Sequence, residues 1–442
     1  MRSPKLRHYL STVPAKTQSV PASGSRRSLV RIFIVGMLCL HLLFFINLRQ
    51  RIERGYPDFT VFYTAATVLR NGLGHQLYDE QVQYEVQKKF AGQISSRHGP
   101  LPYIHPPFEA LVFLPLTLLP YPQAFVAWDL LNLAALFGVA LLLRRSVSVL
   151  RLIPPWEFVI GSLAFFPVFA CFLQGQDSIL QLLFCVLGFN ALKKEGDFLA
   201  GCWFALGAFK FQLMVPIVLL IVIWKRGRVA TGFAAVSILL ALVSAGLVGW
   251  EALLRYPAYV LRVVKAPSFG GVPSELLPNL HGLALGLPFL FSPAVGTAVA
   301  VLSSVILFLF AATRGWKASQ PARIELRFSL AIVASGLIGW QTNAHDLSLL
   351  VLPLVLITDY CLHTMRVPGS RFGLLLPVLP VLISPLWIVL WLAAGQVNLM
   401  AIPLLWWSWR IGKELSRDIH SADGPQPSSS VSASTMPDGG LP

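Results

Sequence analysis

Apolar stretches long enough to cross a bilayer as helices recur along this chain, from about Ile32 to about Ile411. That repetition settles the fold class before any motif is considered. The expected architecture is all-α, a polytopic transmembrane helical bundle of about nine to thirteen spans. Composition agrees, because 55% of the 442 residues are hydrophobic and only 12% are charged. Soluble domains carry about a quarter charged residues, so a soluble chain of this make-up could not cover its own surface.

Charge then orients the spans. The net charge is +15, and the basic residues cluster in short segments between apolar runs. This is the pattern of cytoplasmic loops and of contact with anionic membrane lipid, not of a nucleic-acid partner. Residues 1–31 carry Arg2, Lys5, Arg7, Lys16, Arg26, Arg27 and Arg31 with no acid, which places a basic N-terminal segment in the cytoplasm. The first apolar run lacks a small-residue cleavage site and continues into Arg49, Arg51 and Arg54, so it is read as a retained helix. Lys193-Lys194, Lys225 to Arg228, Arg314 with Lys317, Arg323 with Arg327, Arg366 with Arg371, and Arg410 with Lys413 also fall inside, leaving Gln176, Pro278, His345 and Gln396 outside. Residues 198–224 must then enter and return, with Lys210 and Gln212 near the turn. Placing Arg144, Arg145 and Arg151 inside makes Phe108–Pro120 a half-span; the alternative puts these arginines outside. The expected organisation is a membrane domain over 32–412 and a disordered cytoplasmic tail over 413–442, rich in Ser, Pro and Gly. None of the five cysteines forms a close pair, which argues against structural disulfides and zinc.

Residues 50–107 form the longest polar segment between spans, a first extracytoplasmic loop. Phe59–Arg70 and Glu80–Phe90 read as short helices lying on the membrane surface, with Phe59, Phe62 and Tyr63 anchoring the first of them in the interface. Asp58 precedes that helix. A carboxylate held there can take a proton from a hydroxyl as a general base, whereas a solvated loop acid is the bland reading. His105 opens the next apolar region ahead of Pro106 and Pro107, a residue pair suited to a helix start, or else faces an anionic headgroup. Asp177 and Ser178 follow Gln176 and either cap a helix or bring a second acid to the same rim. Lys210 lies within an apolar hairpin, where a charge is costly; it either snorkels to the surface or pairs with a phosphate. His345 and Asp346 begin a later span, where Asn343 or Asp346 can serve as a cap. Asp129 and Asn132 lie inside an apolar run and are expected to bond a neighbouring helix. No phosphate loop, dinucleotide fingerprint, HExxH, paired CxxC or GxSxG occurs. Asp58, His105, Gln176, Asp177, Lys210, His345 and Asp346 therefore share one face of the membrane.

The string DFTVFYTAATVLRNGLGHQLYD, followed in order by YIHPPFEALVFLPLTLLP, WDLLN, GQDSILQLLF, GAFKFQ and HDLSLLVLPL, resembles glycosyltransferase family 87. The resemblance covers about residues 55–360, with His105-Pro106-Pro107 where the family usually has Tyr-Pro-Pro. It implies a GT-C-like bundle that moves a hexose, mannose-like, from a polyprenyl-phosphate sugar to an extracytoplasmic glycan or glycolipid acceptor. It implies Asp58 as the base and matches Gln176, Lys210 and His345 to recurrent polar positions of the family; with Tyr63, His105, Asp177 and Asp346 these are the expected substrate-binding residues. No cofactor is expected; a divalent metal bridging Asp58 and Asp177 is the less favoured option. The expected location is the cell membrane, with the active site extracytoplasmic. A transporter or flippase of a lipid-linked or anionic substrate is the alternative, and it would need polar groups near the midplane with access from both sides.

Overall fold

The computed structural model describes residues 24–55, 57–92, 100–265, 273–286, 292–317, 324–363, 373–391 and 395–422. All regular secondary structure among them is helical. We number the principal helices α1 (Gly24–Glu53), α2 (Phe59–Arg70), α3 (Glu80–Lys88), α4 (Tyr121–Ser146), α5 (Pro155–Leu163), α6 (Phe166–Gln174), α7 (Ser178–Lys193) and α8 (Asp197–Leu206). The series continues with α9 (Phe211–Ile223), α10 (Arg228–Val248), α11 (Trp250–Lys265), α12 (Pro293–Lys317), α13 (Ile324–Ile338), α14 (Val351–His363) and α15 (Ala401–Ala422).

Among the described residues, five helical segments are long and apolar enough to cross a membrane: Ser28–Glu53, Tyr121–Ser146, Arg228–Val248, Pro293–Trp316 and His345–His363. The last of these opens with a 3-10 turn over His345–Leu350. Two bent pairs raise the number to seven if each is one broken span: α5 with α6, bent by 80°, and α8 with Ala208–Ile223, bent by 72°. Leu130, Ile238, Leu302 and Ile306 on these helices are more than half exposed, as a lipid-facing surface requires.

Local sequence explains the breaks. Pro167 sits in the first turn of α6, where its missing N–H is tolerated, so the chain turns between α5 and α6. Gly207 ends α8, and the chain continues through a 3-10 turn at Ala208–Lys210, so residues 198–224 bend sharply beside Lys210. Small residues hold α8 against α10: a Cβ built on Gly201 or Gly232 would collide with the backbone of the other helix.

The basic flank of α4 lies beside two other basic flanks. Lys193 Nζ donates to the Ser146 carbonyl at 2.6 Å, and Arg226 donates to the Leu192 carbonyl at 2.8 Å. Arg144 therefore shares one end of the bundle with Lys193 and Arg226. Only α4 spans this stretch, and Pro107–Leu118 remains a short apolar segment.

Two expectations need correction. Phe59, Phe62 and Tyr63 are buried, not set into a lipid interface. Phe62 stacks on Phe113 at 4.6 Å, and Phe59 meets Phe125 edge-on at 5.6 Å. An apolar helical face packs equally well against protein or lipid, and here α4 and residues 113–121 supply the protein. The second correction concerns the C-terminus. α15 runs on through Lys413 to Ala422, because the charged residues after Ile411 continue a strongly amphipathic helix. The N-terminal segment before residue 24 and the tail after residue 422 lie outside the described residues.

Candidate active site

Asp58 stands at the N-terminus of α2, yet its carboxylate makes no capping bond to that helix. It is held from across the fold. Gln176 Nε2 donates to Asp58 Oδ2 at 2.8 Å, and the Asp58 backbone N–H donates to Gln174 Oε1 at 3.2 Å. The carboxylate is half-buried and thus both ordered and reachable. Helix α2 itself tolerates burial because its threonines satisfy themselves. Thr64 and Thr67 donate to the carbonyls of Thr60 and Tyr63, and Thr60 Oγ1 bonds to Tyr121 Oη at 2.8 Å. Tyr63 Oη donates to the Leu119 carbonyl at 2.8 Å, which ties α2 to the segment before α4.

The turn carrying Gln176 depends on Gly175. Its φ is +59°, in the left-handed region, and an added Cβ would stand 2.7 Å from Phe59 Cβ and 2.8 Å from Phe125. The Gln176 carbonyl is then gripped by Trp128 Nε1 at 3.2 Å and Asn132 Nδ2 at 3.0 Å. These residues lie four apart on one face of α4. Asn132 thus bonds a neighbouring segment as expected, whereas Asp129 Oδ1 has no hydrogen-bond partner.

Lys210 lies at the heart of the network. Its Nζ is 2.6 Å from Asp177 Oδ1, 2.6 Å from Asp346 Oδ1, 2.7 Å from Ser178 Oγ and 3.2 Å from Gln176 Oε1. Ser178 Oγ donates to Asp346 Oδ1 at 3.1 Å, and Asp346 Oδ2 accepts from the Asn343 N–H at 2.8 Å. His345 Nε2 lies 3.5 Å from Asp346 Oδ1. One amide, that of Gln176, links Asp58 to Lys210, so the two stand no more than about 8 Å apart. The sequence-derived candidates Asp58, Gln176, Asp177, Lys210, His345 and Asp346 converge on one cluster.

Their roles differ from those the sequence suggested. Lys210 neither snorkels nor waits for a phosphate: it is buried, and its three N–H groups face four protein acceptors. Asp177 precedes α7 but does not cap it, because its carboxylate is turned to Lys210. Burial pushes the Asp177 carboxyl up, but the Lys210 ammonium, together with Glu109 and His105, outweighs it and holds the group below the usual carboxylate range.

His105 joins from the other side. Its Nδ1 lies 2.9 Å from Glu109 Oε2, and its ring meets Phe62 edge-on at 5.0 Å. Burial pulls the imidazole down to about 4, and the Asp177 carboxylate opposes that shift without reversing it. Glu109 is the member of this cluster that sequence reasoning missed. Tyr103 Oη donates to Glu109 Oε2 at 3.3 Å. The available signal was an acid inside the apolar stretch after Pro107, four residues beyond His105. One ligand atom from each of His105, Glu109 and Asp177 lies within 4.8 Å of the others, a spacing that suits a metal ion.

The family model of glycosyltransferase family 87 matches residues 103–338, more than half of the chain. The matched stretch contains His105, Glu109, Gln176, Asp177 and Lys210, and Asp58 joins it through Gln176. No curated protein and no solved structure matches the chain.

Proposed function

Starting from a chain that belongs to glycosyltransferase family 87, and so is a membrane glycosyltransferase, we propose that Asp58 is the general base of a transfer from a lipid-linked sugar. The donor is a polyprenyl-phosphate hexose, mannose-like, whose lipid stays in the bilayer. The acceptor is a glycan or glycolipid on the extracytoplasmic side of the cell membrane. Asp58 takes the proton of the acceptor hydroxyl as that oxygen attacks the anomeric carbon, and polyprenyl phosphate departs.

The observation that carries this reading is the setting of Asp58. Asp58 is half-exposed, its carboxylate is held by Gln176, and the network behind it is buried. A base held in this way meets the geometric demand of proton transfer, which is reach first and basicity second. Lys210 serves as a positioning residue: it pairs with Asp177 and Asp346 and orients Gln176. His345 and His105 remain the groups nearest to receive the leaving phosphate, by hydrogen bonding at a site of low dielectric.

To test the donor class, the protein is reconstituted in liposomes with an acceptor extract and given either a radiolabelled polyprenyl-phosphate hexose or the corresponding nucleotide sugar. Transfer from the lipid-linked sugar alone is expected. Transfer from the nucleotide sugar with none from the lipid-linked one overturns the proposal.

A further inference from the structure

Glu109 has no part in the transfer chemistry above, and its surroundings are hard to reconcile with an ordinary buried carboxylate. It is 2% exposed. Oε2 faces Tyr103 Oη and His105 Nδ1, while Oε1 has no hydrogen-bond partner. Asp177 is in the same position: Oδ1 meets Lys210, and Oδ2 has no hydrogen-bond donor. An oxygen of each carboxyl group lies within 4.8 Å of the other, and when ionised neither can donate a hydrogen bond. Like charges brought together in a buried space repel strongly unless a positive group stands between them. Lys210 cannot fill that place for Glu109, since its N–H groups are directed at Asp177, Asp346, Ser178 and Gln176.

We propose that His105, Glu109 and Asp177 hold a divalent cation. The three ligand atoms already lie within 4.8 Å of one another. Two carboxylate oxygens and one imidazole nitrogen suit Mn2+ or Zn2+. The ligands come from stiff pieces of chain. His105 and Glu109 flank Pro106-Pro107, and Asp177 follows the left-handed turn at Gly175. Three protein ligands leave positions open for a substrate oxygen.

Charge gives the ion a purpose, and this step rests on the transfer reading. Asp177 and Asp346 contact Lys210, and with Asp58 and Glu109 also in the cluster the ionised groups sum to a formal −3 with the imidazoles neutral. An anionic donor phosphate would be repelled from such a site. A divalent ion beside Asp177 reduces the formal charge to about −1 and offers the phosphate a positive partner.

The test uses full-length protein in detergent, stripped with chelator and titrated with Mn2+ while the free ion is followed by electron paramagnetic resonance, with Zn2+ measured by elemental analysis. One tightly bound ion per chain is expected. Glu109→Gln should weaken it at least about 10-fold, and His105→Gln should do likewise, so that the result does not hang on one variant folding. Asp58→Asn should keep the bound ion. Wild-type protein that is monodisperse and helical yet binds neither ion overturns the proposal, as it would if a proton bridges Glu109 and Asp177. Binding that both variants leave unchanged overturns it too. If the ion binds as expected while Asp58→Asn keeps full transfer, the transfer reading falls and the metal site stands.

Discussion

Replacing Lys210 with methionine should cost this protein more than any other single change in the cluster. Lys210 Nζ lies 2.6 Å from one oxygen each of Asp177 and Asp346. At an effective dielectric of about 20, each contact represents roughly 6 kcal/mol of attraction before desolvation is set against it. What is lost on breaking a buried pair is typically about 3–5 kcal/mol, because an uncompensated charge is left behind. Lys210→Met leaves two such charges, so the loss should reach the upper end, about 5 kcal/mol. Lys210→Met combined with Asp346→Asn leaves only one. The double variant should be more stable than the single by about 1–3 kcal/mol, although it removes more of the native network. Unfolding in mixed micelles with increasing denaturing detergent, for wild type, both single variants and the double, completes the cycle. A Lys210→Met protein that unfolds at the wild-type midpoint refutes the reasoning. So does a double variant whose loss equals the sum of the two singles.

Three further outcomes are expected. Gly175→Ala places a Cβ 2.7 Å from Phe59 Cβ in a left-handed backbone, and should destabilise the protein by about 1–3 kcal/mol and lower turnover by displacing Gln176; thermal unfolding and a transfer assay on the same sample check both. Gln176→Leu removes the bond to Asp58 while its backbone carbonyl keeps Trp128 and Asn132, so kcat should fall at least about 10-fold with a smaller loss of stability. Phe59→Ala empties a fully buried site beside Phe113, Tyr121 and Phe125 and should cost about 3–5 kcal/mol in the same unfolding assay.

Much of the site was legible in the sequence, and for one physical reason. Charged and amide groups among apolar residues are costly, so Asp177, Lys210, Asp346 and Gln176 stand out, and a shared membrane face brings them together. Their partners were not legible. An isolated lysine in an apolar hairpin looks like a free cation, and only the approach of α7 and residues 345–350 to the turn at Gly207 shows it to be saturated. Glu109 escaped notice although His105 and Tyr103 are close in sequence, because only the fold brings Asp177 beside them. The aromatic face of α2 was read as lipid-facing for a similar reason: hydrophobic periodicity reports that a face is apolar, not what covers it. Helix breaks followed the same pattern. A turn near Lys210 was visible through charge flanks, whereas the bend between α5 and α6 lay within one continuous apolar run.

The central claim is that Asp58 removes the acceptor proton. Transfer of hexose from a radiolabelled polyprenyl-phosphate donor, compared between wild type and Asp58→Asn in the same liposomes, tests it most directly. Asparagine keeps the size of the side chain and still offers an oxygen to Gln176 Nε2, so the fold and the turn at Gly175 should survive. The account predicts a loss of about 10²–10⁴-fold in turnover with little change in the unfolding midpoint. A folded Asp58→Asn protein that transfers sugar at the wild-type rate contradicts it.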